Sequence, residues 1–256
     1  MADNRERAII TSFMTFADQL AEDFDILDIT AQLAEDCAAL LDVAAAGLLL
    51  ADAGGVLHLL AATSQQARSL EVFQLQREEG PCLRCYQSGI TVSVPDVAGA
   101  ADRWPRFAAA AQQQGFASVH AIPIRLRRQV LGAVGLFGGT VGELSAADLH
   151  LAQSLAHVAA IAIAQHGQTR RDVLPVMQAA VASRGLLELA KGVLAEVHNI
   201  DMDEAFDRLR DHARRHDERL SDLARLVVSG QPELRQPLLA ELGQMTAAPS
   251  RRITRT

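Results

Sequence analysis

The chain has 256 residues, of which 49% are hydrophobic and 4% aromatic, and its formal net charge is −7. The apolar content argues against long disordered segments, and the negative charge argues against a general nucleic-acid-binding protein. Because residues 1–169 carry a net charge of −8 and residues 170–256 carry +1, any nucleic-acid site must be local and must lie in the C-terminal part.

The first two thirds of the chain show helix, strand and turn patterns in succession. Apolar residues recur at helical spacing from Arg5 to about Leu41. The apolar runs GLLLAD and VLHLLAAT, joined by Ala53-Gly54-Gly55, predict a β-hairpin. The later predicted elements are helices at 65–75, after Gly80-Pro81, at 103–115 and at 145–166, and strands at 90–95, 118–126 and 129–139.

The strands of this part come in hairpins rather than in β-α-β alternation. This order is typical of an α+β domain, with a mostly antiparallel sheet and helices packed on it. We assign the domain to residues 1–167, a length sufficient for its own hydrophobic core. The N-terminus has no apolar signal segment, and no run approaches the ~18 uninterrupted apolar residues that span a bilayer. We therefore expect a cytoplasmic protein without a membrane partner.

The C-terminal part is predicted to be helical from residue 168 to residue 230. A long helix from Asp172 to Val197 has apolar positions at alternating steps of four and three, which is the pattern of a coiled-coil seam. The seam positions are Val176, Ala180, Ser183, Leu187, Ala190, Leu194 and Val197. We expect this seam to form a dimer contact or a contact between domains.

Two shorter helices follow the long one. The second helix is predicted to begin at Asp201 or Asp203, and the third lies between Asp217 and Gly230. Periodicity is lost beyond this point. We therefore expect residues 231–256 to form a partly disordered tail.

The only lysine of the chain, Lys191, stands beside Gly192 inside the predicted long helix. A glycine inside a helix costs ~1 kcal/mol relative to alanine, so it often marks the close approach of another element or of a ligand. A lysine ammonium on its flexible stem suits phosphate. A structural interpretation stays open, in which Gly192 admits the next helix and Lys191 pairs with Glu188.

Arginines are concentrated in the segment RLRDHARRHDER, which runs from the second predicted helix to the start of the third. They are Arg208, Arg210, Arg214, Arg215 and Arg219. Acidic residues are interleaved with them, so a solvated helix face with internal ion pairs is the alternative to a binding surface.

Residues 182–228 resemble the ANTAR domain, the three-helix output module of transcription antitermination regulators. The residues that carry the resemblance are Ser183-Arg184, Ala190-Lys191-Gly192, Asp203-Glu204-Ala205-Phe206, Leu209-Arg210, Ala213, Leu220 and Leu223-Ala224. Upstream, the segments at 80–97 and 103–137 are similar to GAF domains, which often precede ANTAR domains. The resemblance implies a GAF-like sensor followed by an all-α ANTAR domain.

ANTAR domains bind paired stem-loops in nascent messenger RNA and prevent a terminator from forming. The resemblance therefore implies an RNA-binding antitermination regulator that is not an enzyme, with a stem-loop mRNA leader as its partner. Two linked loops favour a homodimer, because the second contact becomes intramolecular. The implied RNA-binding residues are Arg184, Lys191, Gly192, Arg210, Arg214, Arg215 and Arg219.

The chain departs from the ANTAR pattern at three positions. Ala195 stands where methionine is usual, Val197 stands where a basic residue is usual, and Glu218 occupies a position that is often basic. These residues weaken the positive field, and phosphate contacts dominate RNA affinity.

The sensor half has several candidate pocket residues, and its cofactor and signal are not specified by the sequence. GAF domains usually hold a small molecule on the sheet, and the candidates here are Cys82, Cys85, Tyr86, Trp104 and His120. The Cys82-x-x-Cys85 spacing suits a metal or a redox reaction, but one such pair lacks two ligands for a closed zinc site. We therefore assign no metal site.

Two alternatives remain at this point. In the first, the chain is a GAF sensor whose helical part only dimerises or binds a protein. In the second, it is a GAF-fold thiol reductase that uses Cys82, Cys85 and Cys37. No nucleophile, base and carboxylate occur in a recognisable catalytic order.

Overall fold

The computed structural model divides the chain into two compact units. The described residues are 2–21, 25–52, 54–166, 173–229 and 232–245. The first unit comprises residues 1–23 and 29–178, and the second comprises residues 24–28 and 179–256.

The first unit is built around one five-stranded sheet. Its strands are β1 (Ala45–Ala51), β2 (Leu57–Ala62), β3 (Val92–Val94), β4 (Ser118–Leu126) and β5 (Gln129–Gly138). They lie in the order β2-β1-β5-β4-β3, and every neighbouring pair is antiparallel. The predicted hairpins are β1–β2 and β4–β5, so the predicted antiparallel α+β fold is confirmed.

The described residues of this part of the chain form six α-helices. They are α1 (Ala2–Ala21), α2 (Ile26–Leu40), α3 (Gln65–Arg77), α4 (Pro81–Ser88), α5 (Pro105–Gln113) and α6 (Ala146–His166), and residues 26–28 of α2 belong to the second unit. Their starts follow from local chemistry. Ser64 accepts a hydrogen bond from the Ala67 amide at α3, and Ser145 accepts one from the Asp148 amide at α6. Pro81 and Pro105 occupy first-turn positions, where the missing N–H is tolerated.

Both faces of the sheet are covered by helices. All seven residues of β1 are buried, which explains its uninterrupted apolar sequence. On one face, Leu49, Ala121 and Ala133 form a cluster with Cys82 and Cys85 of α4. Helix α6 also packs on β4. The sheet therefore forms the middle layer of the first unit.

Helix α6 is the most apolar of the long helices that the structure describes in the first unit. Among the described residues, its segment Ala146–Ala164 is the one stretch whose length and composition would suffice to cross a membrane. In this structure α6 packs on β4, and Leu155, Ala156 and Ala159 are buried. The apolar composition of α6 is that of a core helix.

The second unit is helical. Its helices are α7 (Val173–His198), of which residues 179–198 belong to this unit, α8 (Met202–His216), α9 (Leu220–Val228) and α10 (Pro232–Gln244). Asp201 is the N-cap of α8, since its Oδ1 accepts a hydrogen bond of 2.7 Å from the Glu204 amide. Arg219 occupies the N-cap position of α9.

The apolar seam of α7 belongs to the core of the chain. Leu187, Ala190 and Leu194 are buried, whereas Val197 is 53% exposed. The side chains of Val176 and Ala180 lie outside the described part. The buried part of the seam is therefore occupied within one chain, and the expectation that it forms a dimer contact is not supported at these three positions.

Helix α10 corrects the expectation of an irregular tail after residue 230. It packs on α8 and α9, and Leu242 is fully buried. Arg208 donates from Nη1 to the carbonyl oxygens of Leu242 and Gly243, both at 3.1 Å. Pro237 lies inside the helix and interrupts its periodicity, so the helical pattern of this segment is weak. Residues 246–256 of the expected tail lie outside the described part.

Candidate nucleic-acid interface

Two of the predicted RNA-binding residues lie near the ring of Phe206, and a third is linked to them through Glu188. Lys191 Nζ lies 5.6 Å from the ring centroid, and Arg210 Cζ lies 5.1 Å from it. Arg184 lies two turns before Lys191 on α7 and shares a carboxylate with it. Glu188 Oε1 is 3.2 Å from Arg184 Nη2 and 3.4 Å from Lys191 Nζ. We call these residues, with Asp207, the α7–α8 cluster.

The cations of the α7–α8 cluster are largely buried and are paired with acids. Lys191 is 5% exposed. Arg210 pairs with Asp207 at 3.3 Å, and burial raises the pKa of Asp207 although the charge of Arg210 lowers it. The structural interpretation in which Lys191 pairs with Glu188 is therefore realised. A phosphate that binds Lys191 has to compete with this carboxylate.

Gly192 faces open space instead of a neighbouring helix. A Cβ atom built at Gly192 or at Gly185 meets no described atom within 4 Å. The hypothesis that Gly192 admits the adjoining helix is therefore wrong for the described residues. Leu189 on the same helix is 59% exposed, so this face of α7 is open.

The remaining predicted arginines lie apart from the α7–α8 cluster. Arg214 follows Arg210 by one turn of α8 on the same face, and its Nη2 is 3.0 Å from Asp28 Oδ1. Arg215 is exposed and donates from Nε to the Asp211 carbonyl at 3.2 Å. Arg219 is exposed at the start of α9. The structure thus brings Arg184, Lys191 and Arg210 together and leaves the other three at the periphery.

The predicted sensor residues do not form one pocket. Cys82 and Cys85 lie on the face of the sheet that carries Ala121. His120 precedes Ala121 in β4, so its side chain points to the opposite face. It is buried, and burial lowers its pKa.

The two aromatic sensor candidates, Trp104 and Tyr86, lie on different helices. Trp104 is the N-cap residue of α5, with the guanidinium of Arg103 4.3 Å above its ring and Phe107 edge-on at 6.5 Å. Tyr86 is partly buried in α4, and burial together with the charge of Asp52 raises its pKa. Both contact sets are those of packing residues.

A surface cleft of about 420 Å³ lies between α3 and α5. Its lining residues are Phe73, Arg77, Arg106, Ala109, Ala110 and Gln113. Two arginines in this lining would favour an anionic ligand. The predicted sensor residues are absent from this lining.

Glu71 of α3 is a buried acid that the sequence analysis missed. Its Oε2 accepts a hydrogen bond of 2.9 Å from Gln74 Nε2, and its Oε1 accepts one of 3.4 Å from Cys82 Sγ. Gln74 Oε1 accepts the Cys82 amide at 3.0 Å. Burial raises the pKa of Glu71 to about 8.

Two paired glycines make room for the Glu71 carboxyl group above the sheet. Gly47 of β1 and Gly135 of β5 are opposite each other in the ladder. A Cβ atom at Gly47 would lie 2.8 Å from Glu71 Cγ, and one at Gly135 would collide with Glu71 Oε1. Glycines inside two strands were therefore the signal in the sequence that could have revealed a buried group here.

The cysteines have the environment of packing residues. Cys37, Cys82 and Cys85 are free thiols and are all buried. Burial, aided by the charge of Glu71, raises the pKa of Cys85 to about 12 and also raises that of Cys82. Since the thiolate is the nucleophile, this environment disfavours the thiol reductase alternative.

Comparison with known families agrees with this architecture. A family model described as GAF domain matches residues 25–164, and one described as ANTAR domain matches residues 176–228. The comparison with curated proteins gave no match.

Solved structures similar to the chain include two GAF proteins. The GAF domain from Acinetobacter phosphoenolpyruvate-protein phosphotransferase shares 18% identity at a TM-score of 0.49, over 61% of this chain and 92% of that chain. The GAF domain/HD domain protein from Geobacter sulfurreducens shares 20% identity at a TM-score of 0.47, over 57% and 95%. Since the GAF match spans more than half of its residues, the chain belongs to the GAF domain family and carries an ANTAR domain after the GAF domain.

Proposed function

We propose that the chain is an RNA-binding transcription antitermination regulator. The GAF domain senses a signal, and the ANTAR domain binds paired stem-loops in the leader of a nascent messenger RNA. The observation that carries this proposal is the ANTAR match over residues 176–228, within which Lys191 and Arg210 lie beside the ring of Phe206 and Arg184 shares Glu188 with Lys191. GAF and ANTAR domains are regulatory, and we place the protein in the cytoplasm without a membrane partner.

The proposed RNA surface is the α7–α8 cluster with its open neighbour Gly192. Hairpin loops present unstacked bases and bent phosphate backbones, which suit closely spaced cations beside small residues. Gly192 follows Glu188 by one helical turn, so the open space lies directly beside the cluster. Arg214 extends the cationic face of α8 beyond Arg210.

The acids of the α7–α8 cluster compete with RNA phosphates for the cations. Glu188 holds both Arg184 and Lys191, and Asp207 holds Arg210. A phosphate has to replace these carboxylates as the partner of the cations, because both compete for the same donors. Substitutions of the acids and of the cations should therefore change RNA affinity in opposite directions.

The test is filter binding of a two-stem-loop RNA over a series of salt concentrations. We expect Lys191→Ala and Arg210→Ala each to lower the affinity and to reduce the salt slope by about 1. Glu188→Gln should raise the affinity, because it removes the competing charge. Arg225→Ala is the matched control, since Arg225 is an exposed arginine of α9 outside the cluster.

Because Lys191 is buried, thermal unfolding has to show that each variant is folded before its affinity is compared. A folded Lys191→Ala variant with unchanged affinity and slope would contradict the assigned site. Equal affinities for the parent and Glu188→Gln would contradict the competition between carboxylate and phosphate.

We further propose a homodimer and a small-molecule ligand of the GAF domain. A dimer matches two linked stem-loops, and the open face of α7 with Leu189 is available for it, unlike the buried seam. The cleft between α3 and α5 is the candidate ligand site, and its arginines favour an anion.

A second candidate function is a GAF sensor whose helical part only dimerises or binds a protein. The ion pairs of Glu188 with Arg184 and Lys191, and the exposure of Leu189, favour it. Self-association that is insensitive to salt, with no RNA recovered after crosslinking, would support this function over RNA binding.

A further inference from the structure

Two histidines of α8 and a glutamate of α10 converge outside the α7–α8 cluster. His212 Nε2 lies 3.4 Å from Glu241 Oε1, and His216 Nε2 lies 3.5 Å from the same oxygen. The three groups each offer a ligand atom, and these atoms lie within 4.8 Å of one another. The spacing of four residues puts both imidazoles on one face of α8.

The imidazole of His212 is buried beside Glu241. It is 4% exposed, and neither Nδ1 nor Nε2 makes a hydrogen bond within the described part of the chain. Glu241 Oε1 is close to Nε2 but lacks hydrogen-bond geometry. Buried polar groups are nearly always paired, so this ring points to a ligand at Nε2.

The Nδ1 atom of His216 is held by a backbone carbonyl, so Nε2 is the ring atom left for a ligand. This Nδ1 lies 3.0 Å from the backbone carbonyl oxygen of His212. Since a carbonyl only accepts, Nδ1 carries the hydrogen and the neutral ring leaves the lone pair on Nε2. A backbone carbonyl that fixes the tautomer in this way is the usual support of a metal-binding histidine.

We propose that His212, His216 and Glu241 bind a divalent first-row transition metal ion, with zinc as the representative. Ligand atoms bonded at ~2.1 Å to a tetrahedral zinc ion are about 3.4 Å apart. The separations of 3.4 and 3.5 Å between the imidazole nitrogens and Glu241 Oε1 match this value. Two imidazoles and one carboxylate are suitable ligands, and the fourth position is left to water.

The stacked arrangement of the two rings has to open when the ion binds. Their centroids are 4.1 Å apart with an interplanar angle of 25°. His216 and Glu241 are exposed, so small rotations of these side chains separate the rings and leave a path for the ion from solvent.

The metal would join α10 to the ANTAR helices. Glu241 lies beyond the ANTAR match, which ends at residue 228. Without the ion, α10 is held by the bonds from Arg208 to its last carbonyls and by Leu242. The ion adds a further connection, so its binding should raise the unfolding temperature of the chain.

The test uses the full chain without a purification tag, freed of metal by a chelator. Calorimetric titration with zinc chloride should give one ion per chain. Cobalt(II) should give visible bands of a tetrahedral site without the near-ultraviolet band of cobalt–thiolate bonding. Loss of a residue that only supports a metal ligand typically weakens metal binding by about 10–100-fold. His216→Ala and Glu241→Gln each remove a ligand itself, so each should weaken zinc binding by more than this.

Exposed ligands were chosen for substitution because their loss leaves the core intact, and thermal unfolding verifies this. His157→Ala is the matched control, since His157 is an exposed histidine of α6, and it should bind zinc like the parent. Absence of saturable zinc binding, equal affinity in His216→Ala and the parent, or a thiolate band with cobalt would each overturn the proposal.

Discussion

At the scale of single residues, Glu71 shows how one buried acid shapes the GAF domain. Its carboxyl group occupies the space that Gly47 and Gly135 leave above the sheet. It accepts hydrogen bonds from Gln74 and Cys82. With a pKa raised to about 8 by burial, the group is mostly protonated at neutral pH. Ionisation of Glu71 therefore opposes folding.

We predict that Glu71→Gln changes the pH dependence of stability. The pKa of Glu71 rises from its ordinary value of 4.5 to about 8 on folding, so the native state holds the extra proton between these values. Stability from this group is full at low pH and falls by ~1.4 kcal/mol per pH unit as pH rises through this window. The glutamine variant lacks this loss, so it should be more stable than the parent at pH 8 and should lose this advantage towards pH 5.

Urea denaturation between pH 5 and pH 9 measures this difference. Glu6→Gln, at an exposed position of α1, serves as the control and should follow the parent. Parallel pH curves for the parent and Glu71→Gln would show that Glu71 does not bind a proton on folding.

Gly192 allows stability and RNA binding to be separated. It lies inside α7 with no described atom near a built Cβ, so Gly192→Ala should raise the free energy of unfolding by ~1 kcal/mol. The same methyl group should weaken RNA binding if RNA approaches this face. Gly185→Ala, at the second open glycine, should give a similar gain in stability with a smaller effect on RNA. Chemical denaturation measures the stability of both variants, and filter binding measures their RNA affinity. Unchanged RNA affinity in Gly192→Ala would show that Gly192 is not part of the RNA-binding surface.

Helices and strands could be predicted from the sequence wherever one hydrophobic period continued without interruption. The hairpins, the start of α8 at Asp201 and the buried positions Leu187 and Leu194 were all predictable. Helix α10 was not, because Pro237 interrupts its pattern and its position depends on bonds from Arg208.

The candidate sites were harder to predict than the elements. Successive side chains of β4 point to opposite faces of the sheet, so His120 lies on the face away from Cys82 and Cys85. The sequence does not indicate which of the two faces of the sheet holds a ligand. Lys191 and Glu188 are three residues apart in a helix, so their ion pair was foreseeable. Arg210 and Phe206 are four residues apart in α8, so their contact was foreseeable as well. The approach of Lys191 to the same ring depends on how α7 and α8 pack, which spacing alone does not specify.

We predict that Gly243→Ala loosens α10. A Cβ atom at this position would collide with the ring of His198, whose Nε2 lies 2.9 Å from the Leu239 carbonyl oxygen. Such overpacking typically costs ~1–3 kcal/mol. Hydrogen exchange of residues 232–244 should become faster in this variant. Gln236→Ala, at an exposed position of α10, is the control, and equal protection in both variants would contradict the docking described here.

At the scale of the whole molecule, charge is divided between the two parts of the chain. The net charge of −8 on residues 1–169 repels RNA. The net charge of +1 on residues 170–256 attracts RNA only weakly. The RNA binding that we propose therefore has to come from a few local contacts at the α7–α8 cluster. Such contacts give a measurable salt dependence, whereas binding by apolar surfaces does not.

The affinity of the full chain for a leader RNA with two stem-loops, measured across a series of salt concentrations, tests the proposed RNA recognition. We predict two chains per RNA, a preference over single-loop RNA of equal length, and an affinity that falls steeply with salt. Equal affinity for both RNAs, or an affinity that does not change with salt, would contradict it.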